Sequence, residues 1–203
     1  RQHKALCPAN GIRRTMALDV MRAEDSRQRS LSMPYAAALM DKYGYYSGSP
    51  RGSVGFTAAP YDFLGDQLRG FSNISKDVRR NRNKIFDACE ALLPLMFRLG
   101  MPENPHPEGF IGMPLHMPTY MREKDFAEVW LPTFLKLVQQ FAARGARISA
   151  FCEHDWTRYT DYLQEFPSGS VLKFEYGDAK LLKEKLGNKM FISGLYPVLL
   201  MRT

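Results

Sequence analysis

Cysteine is scarce in this chain, and long apolar runs are missing. The three cysteines, Cys7, Cys89 and Cys152, stand far apart. They offer no disulfide framework of the kind that staples small secreted domains, and they suit a reducing compartment. No apolar run approaches the roughly 20 residues of a membrane span, and no signal-peptide pattern precedes the first helix, so a cytoplasmic location without a membrane partner is expected. Acidic residues are outnumbered, 21 against 28 Lys and Arg, which leaves a net charge of +7. Such a surplus suggests nucleic acid where it gathers on a reading surface. Its densest cluster, Lys76 to Lys84, opens a helix signal without an aromatic stacking platform or a recognised nucleic-acid motif. It reads as a solvated helix face, and no nucleic-acid partner is expected.

What the chain does have is an alternation of short strand signals and helix signals. Gly52 to Ala58 reads as a strand closed by Ala59-Pro60, and a helical segment follows from Tyr61 to Gly70. Ser72-Asn73-Ile74-Ser75 caps a long helix from Lys76 to Leu99 that stops at Gly100, with Pro94 expected to kink or divide it. Phe110 to Met113 is a weak strand signal that delivers His116 into a loop. From Glu123 to Arg144, the residues Phe126, Val129, Trp130, Phe134, Leu137, Val138 and Phe141 recur at helical spacing before Gly145. Ile148 to Asp155 is an apolar strand ending in reactive groups. A helix signal from Thr157 to Phe166, a strand from Ser170 to Phe174, a helix from Ala179 to Leu186 and a strand from Lys189 to Ser193 complete the series. Five strands, each but the last followed by a helix, predict an α/β fold with a parallel sheet, flanking helices and right-handed crossovers. The carboxyl ends of the strands then share one rim. Residues 1–49 are expected to form an amino-terminal helical or extended arm.

Chemistry concentrates at those carboxyl ends, where α/β folds place their active sites. Cys152-Glu153-His154-Asp155 closes the third strand signal, Glu175 and Asp178 follow the fourth, and His116 follows the second. Glu153, His154, Asp155, Glu175 and His116 are therefore the candidate catalytic residues. Each has a plainer reading. Cys152 alone is a small apolar core residue, Asp155 and Asp178 are placed to cap the helices that follow, and His116 is a loop histidine after a proline-bounded strand. Asp66 and Arg69, three apart, share a helix face and suit an ion pair.

Gly55-Phe56-Thr57-Ala58-Ala59-Pro60-Tyr61 resembles the Gly-Phe-small-small-x-Pro-aromatic signature of the uroporphyrinogen decarboxylase superfamily, which includes cobalamin-dependent methyltransferases. Trp130-Leu131-Pro132 on the 124–143 helix is similar to the family's Leu-Pro-aromatic helix. Leu186-Gly187-Asn188 through Tyr196-Pro197 resembles its late Gly-Asp…Gly-x-x-x-Pro segment. The resemblance covers roughly residues 50–203 and implies a TIM-type βα barrel. Five strand signals in 203 residues fall short of the roughly 250 residues of an eight-stranded barrel, so an incomplete barrel, a fragment of a longer one, is expected. Phe56, Tyr61, Asp62, Asp66, Arg69, Trp156 and Tyr196 become the substrate-binding candidates.

The departures from the family direct the functional expectation. Asp66 stands where the decarboxylases carry a substrate-binding tyrosine, and His116 falls near a serine they use. The amino-terminal arginine and aspartate motifs of the decarboxylases are not found. In the methyltransferase branch the matching strand ends His-x-Cys, two ligands of a zinc ion that activates an acceptor thiol. Here Cys152-Glu153-His154 holds the same ligand types in reversed order, so the resemblance implies zinc on Cys152 and His154, with a corrinoid as substrate or partner cofactor. The expected function is a corrinoid-dependent methyltransferase, with a corrinoid protein or a tetrapyrrole as partner. A uroporphyrinogen decarboxylase, a carboxy-lyase of porphyrin biosynthesis, and a noncatalytic corrinoid-binding barrel are the alternatives.

Overall fold

One parallel sheet of five strands organises the computed structural model. Its strands are β1 (Val54–Phe56), β2 (Phe110–Leu115), β3 (Ile148–Asp155), β4 (Val171–Tyr176) and β5 (Phe191–Gly194), paired in chain order. The expected α/β architecture is present; among the described residues the sheet is open, with β1 and β5 at its edges. Residues 52–195 are described continuously, together with separate helical positions between 20 and 43. The chain divides into two units, Arg1–Ser47 and Gly48–Thr203. In the first, the described positions are helical and exposed, and Arg27 reaches back to Glu24 at 2.6 Å. Among the described residues, no helix is long and apolar enough to cross a membrane.

The helices of the second unit connect the strands. They are α1 (Pro60–Phe63), continued by a π-helical turn to Arg69; α2 (Phe71–Arg80); α3 (Arg82–Gly100); α4 (Glu123–Asp125), which runs through a π turn at Phe126–Trp130 into α5 (Leu131–Ala143); α6 (Thr160–Leu163); and α7 (Ala179–Leu186). The long helix expected from Lys76 to Leu99 is divided, but at Asn81 (φ −135°) rather than at Pro94, which sits inside α3. In the π turn, the Leu131 N–H reaches the Phe126 carbonyl five residues back. Pro132 supplies no N–H for the Glu128 carbonyl, so the regular i→i−4 ladder could not have run through this point.

Alternation along the strands separates two faces. Ile111, Met113 and Leu115 of β2, Ala150 and Cys152 of β3, and Leu172 and Phe174 of β4 are buried and in register. On the other face Val54, Phe56, Phe151 and Phe191 are exposed. Pro114 is tolerated within β2 for a local reason. The Ile111 N–H reaches towards β3, onto the Arg147 carbonyl, so the even positions face β1, whose pairing stops at Gly112. Gly55 is required by a close approach, since a Cβ there would stand 1.8 Å from the Gly100 carbonyl oxygen at the end of α3.

Beneath the carboxyl ends lies an aromatic stack. Phe126, Trp130, Phe134, Trp156 and Tyr159 are all fully buried, with ring centroids 3.9 Å apart for Phe126 and Tyr159 and 4.5 Å for Trp130 and Phe134. Burying such a side chain contributes on the order of 1.5–3 kcal/mol. The stack also fixes the direction of the Trp130 N–H.

Candidate functional site

Four successive strands deliver polar side chains to one rim. Asp62 and Asp66 follow β1, His116 and Tyr120 follow β2, Glu153, His154 and Asp155 end β3, and Glu175 lies near the end of β4. His116, Glu153, His154, Asp155 and Glu175 therefore share the carboxyl-end rim that parallel pairing requires.

The first constellation centres on His116. Asp62, 1% exposed, accepts hydrogen bonds from Trp130 Nε1 at 2.6 Å and from the main-chain N–H groups of His116 and Met117 at 3.1 and 3.2 Å. The same Oδ1 lies 3.5 Å from His116 Nδ1, while the Asp66 carboxylate lies 3.1 Å from Nε2. Burial pushes the Asp62 carboxyl up to about 6, against the pull of the Trp130, His116 and Met117 contacts. Burial also works to lower the His116 pKa, but the negative charges of Asp62, Asp66 and Glu153 outweigh it and leave the group raised.

The second centres on His154, whose φ of 59° lies in the left-handed region. The cause is a bulge in the ladder: Cys152 pairs with Phe174 but Asp155 pairs with Tyr176, three residues of β3 against two of β4. Glu175 holds this backbone by accepting the His154 N–H at 2.9 Å, and His154 Nε2 meets the Tyr120 hydroxyl at 2.9 Å. Tyr120 is carried on the short 3₁₀ turn Met117–Tyr120. Arg158 anchors that turn by donating to the carbonyls of Pro118, Thr119 and Met121, and the Tyr159 hydroxyl donates to Pro118 and Met121. His154, Tyr120, Asp155, Thr119, Thr157 and Arg158 line an open cleft of about 610 Å³.

Other candidates have structural occupations. Asp155 accepts the Thr157 N–H and hydroxyl, which lowers its pKa and caps the turn that follows. Asp178 caps α7 through the N–H groups of Lys180 and Leu181. Arg69 is paired with Asp77, not with Asp66 on its own helical face, at 2.5 Å. Tyr61 and Trp156 are buried core residues, and the Trp156 N–H is taken by the Glu153 carbonyl. Phe56 is exposed on the open sheet face; Tyr196 lies outside the described residues.

Cys152 and His154 do not form the expected pair. Equal faces two residues apart hold only for regular strands, and the bulge breaks that alternation. Cys152 is wholly buried, in register with Leu115 and Phe174, and burial pushes its thiol up; His154 is half-exposed at the rim. Among the described residues, no group of three or more His, Cys, Asp or Glu side chains is placed to hold a metal ion. Among the described residues, Cys152 and His154 therefore do not supply the paired ligands of the zinc site that the resemblance implies. Tyr120, Thr119 and Arg158 escaped the sequence reading because their rim position depends on the 3₁₀ turn after β2, and a turn of that length leaves no periodic signal.

No family model matches the chain, and no curated protein matches it.

Proposed function

We propose that this chain belongs to a corrinoid-dependent methyltransferase of the uroporphyrinogen decarboxylase superfamily, and that its five strands are an arc of a βα barrel. Sequential parallel pairing supports the barrel, since right-handed crossovers that always advance in one direction put every helix on one face. So does the exposed face bearing Val54, Phe56, Phe151 and Phe191, because purely parallel sheets are covered on both sides.

The observation that carries the reaction is His116 between Asp62 and Asp66 at the rim. A reduced corrinoid, when bound, would accept the methyl group of an ether or thioether as the carbon–heteroatom bond breaks. The departing oxygen or sulfur then takes up a proton. A histidine whose proton is held by flanking carboxylates supplies that proton as a general acid. The acid-lined rim also disfavours a polycarboxylate such as uroporphyrinogen. Arg69 is already engaged by Asp77, and Arg158 by backbone carbonyls.

The test is the full-length protein mixed with cob(I)alamin and a panel of methoxylated and methylthio compounds, followed by loss of the cobalt(I) absorbance. We expect methyl transfer with at least one donor, lowered about 10²–10⁴-fold by His116→Gln. Release of carbon dioxide from uroporphyrinogen, with no methyl transfer from any donor, would overturn the reading.

A further inference from the structure

Asp62 and Asp66 flank the same imidazole but differ in every other respect. Asp62 is 1% exposed and its two oxygens receive three N–H groups, whereas the Asp66 side chain is 38% exposed and faces the open rim. A single oxygen of Asp62 both accepts the His116 main-chain N–H and stands 3.5 Å from its Nδ1. It therefore holds the backbone that carries the ring as well as facing the ring itself. Trp130, immobilised in the aromatic stack, fixes the other oxygen at 2.6 Å. Both ring nitrogens face carboxylate oxygens, and a neutral imidazole can donate to only one of them. Only the doubly protonated ring turns an N–H towards each carboxylate.

We propose that Asp62 is the positioning residue of this site: it directs His116 Nδ1–H inward and so presents Nε2–H to the rim, where a bound methyl donor replaces Asp66 as the acceptor. The inference rests on His116 being the proton donor proposed above. The charged groups facing His116 are Asp62 and Asp66 from the segment after β1 and Glu153 from β3. Of these, only Asp62 touches both the main chain and the ring. Its role is electrostatic and geometric, without contact to the reacting atoms.

Selective ¹⁵N labelling of histidine tests this without any substrate. With four histidines in the chain, His116 is assignable from the spectrum of His116→Gln. In the unsubstituted protein we expect a His116 titration midpoint above that of a free imidazole, with both nitrogens protonated below it. In Asp62→Asn, the titration midpoint should fall by about one pH unit or more, the effect of losing an adjacent opposite charge. Asp66→Asn should lower the midpoint while leaving the neutral ring protonated at Nδ1. In the methyl-transfer assay, Asp62→Asn should lower kcat with little change in KM and move the basic limb of the pH profile with the His116 midpoint. If Asp62→Asn fails to fold, Trp130→Phe removes the hydrogen bond that lowers the Asp62 pKa, so Asp62 takes up its proton at higher pH, His116 loses that neighbouring charge, and the midpoint should still fall. An unchanged midpoint in a folded Asp62→Asn or, failing that, Trp130→Phe protein overturns the proposal. Shifted midpoints in a protein that transfers no methyl group would instead leave the Asp62 role standing and remove the proposed reaction.

Discussion

Replacing His154 with glycine and, separately, with alanine isolates the strain at the end of β3. Both substitutions remove the imidazole and its bond to the Tyr120 hydroxyl, so that loss cancels in the comparison. What differs is the backbone. At φ 59° an L-residue carries an αL penalty of about 1–2 kcal/mol, which alanine retains and glycine escapes. Glycine gives back roughly 0.5–1 kcal/mol through the greater freedom of its unfolded chain. The His154→Gly protein is expected to be more stable than His154→Ala by about 0.5–1 kcal/mol. With urea m-values of ~1–3 kcal/mol/M, that is a midpoint difference of a few tenths molar. Against the unsubstituted protein, relief of strain and loss of an exposed hydrogen bond of ~1 kcal/mol nearly cancel. His154→Gly should thus be close to neutral in stability while emptying the cleft of its imidazole. A urea midpoint for His154→Ala equal to or above that of His154→Gly would refute the bulge as a strained position.

Two further outcomes follow from the packing and the ion pairs. Gly55→Ala places a methyl group against the Gly100 carbonyl, which has no flexible end to move aside, and should destabilise by about 3 kcal/mol; an unaltered denaturation midpoint would show that α3 can withdraw from β1. Asp125, buried between Arg82 and Arg122, has its pKa lowered: burial works to raise it, and the two arginine contacts outweigh that. A carboxyl whose folded pKa lies below its unfolded value of about 3.9 stabilises above that pH and loses the contribution as pH falls through the folded pKa. The stability gap between the unsubstituted protein and Asp125→Asn should therefore shrink on acidification below about pH 4; a gap that widens there would contradict the pairing.

The strands and their order were legible because apolar runs bounded by glycine and proline mark parallel strands well, and because a parallel sheet fixes which ends meet. α7 was readable from Ala179 to Leu186, since Asp178 and Gly187 supply start and stop. The break at Asn81 was not: Pro94 carries the stronger warning in one dimension, yet it is accommodated within α3. At the site, residue types at strand ends identified His116, His154 and Glu175. Their partners were hidden, because Asp62 meets His116 across 54 positions and Trp130 across 68. The Cys152–His154 expectation failed on a single inserted residue. A bulge shifts every side chain after it, and nothing in the local composition announces one.

The neighbour-by-neighbour pairing has a consequence for how this sheet assembles. In doubly wound folds a strand laid down early waits for a partner made much later, and its unpaired edge stays open in the interval. Here each new strand docks on the one just before it, β2 on β1 through to β5 on β4. The ladder can therefore lengthen one βα step at a time as the chain emerges during synthesis, with the growing edge always the most recent strand. Removing β5 would leave every hydrogen bond among β1 to β4 intact.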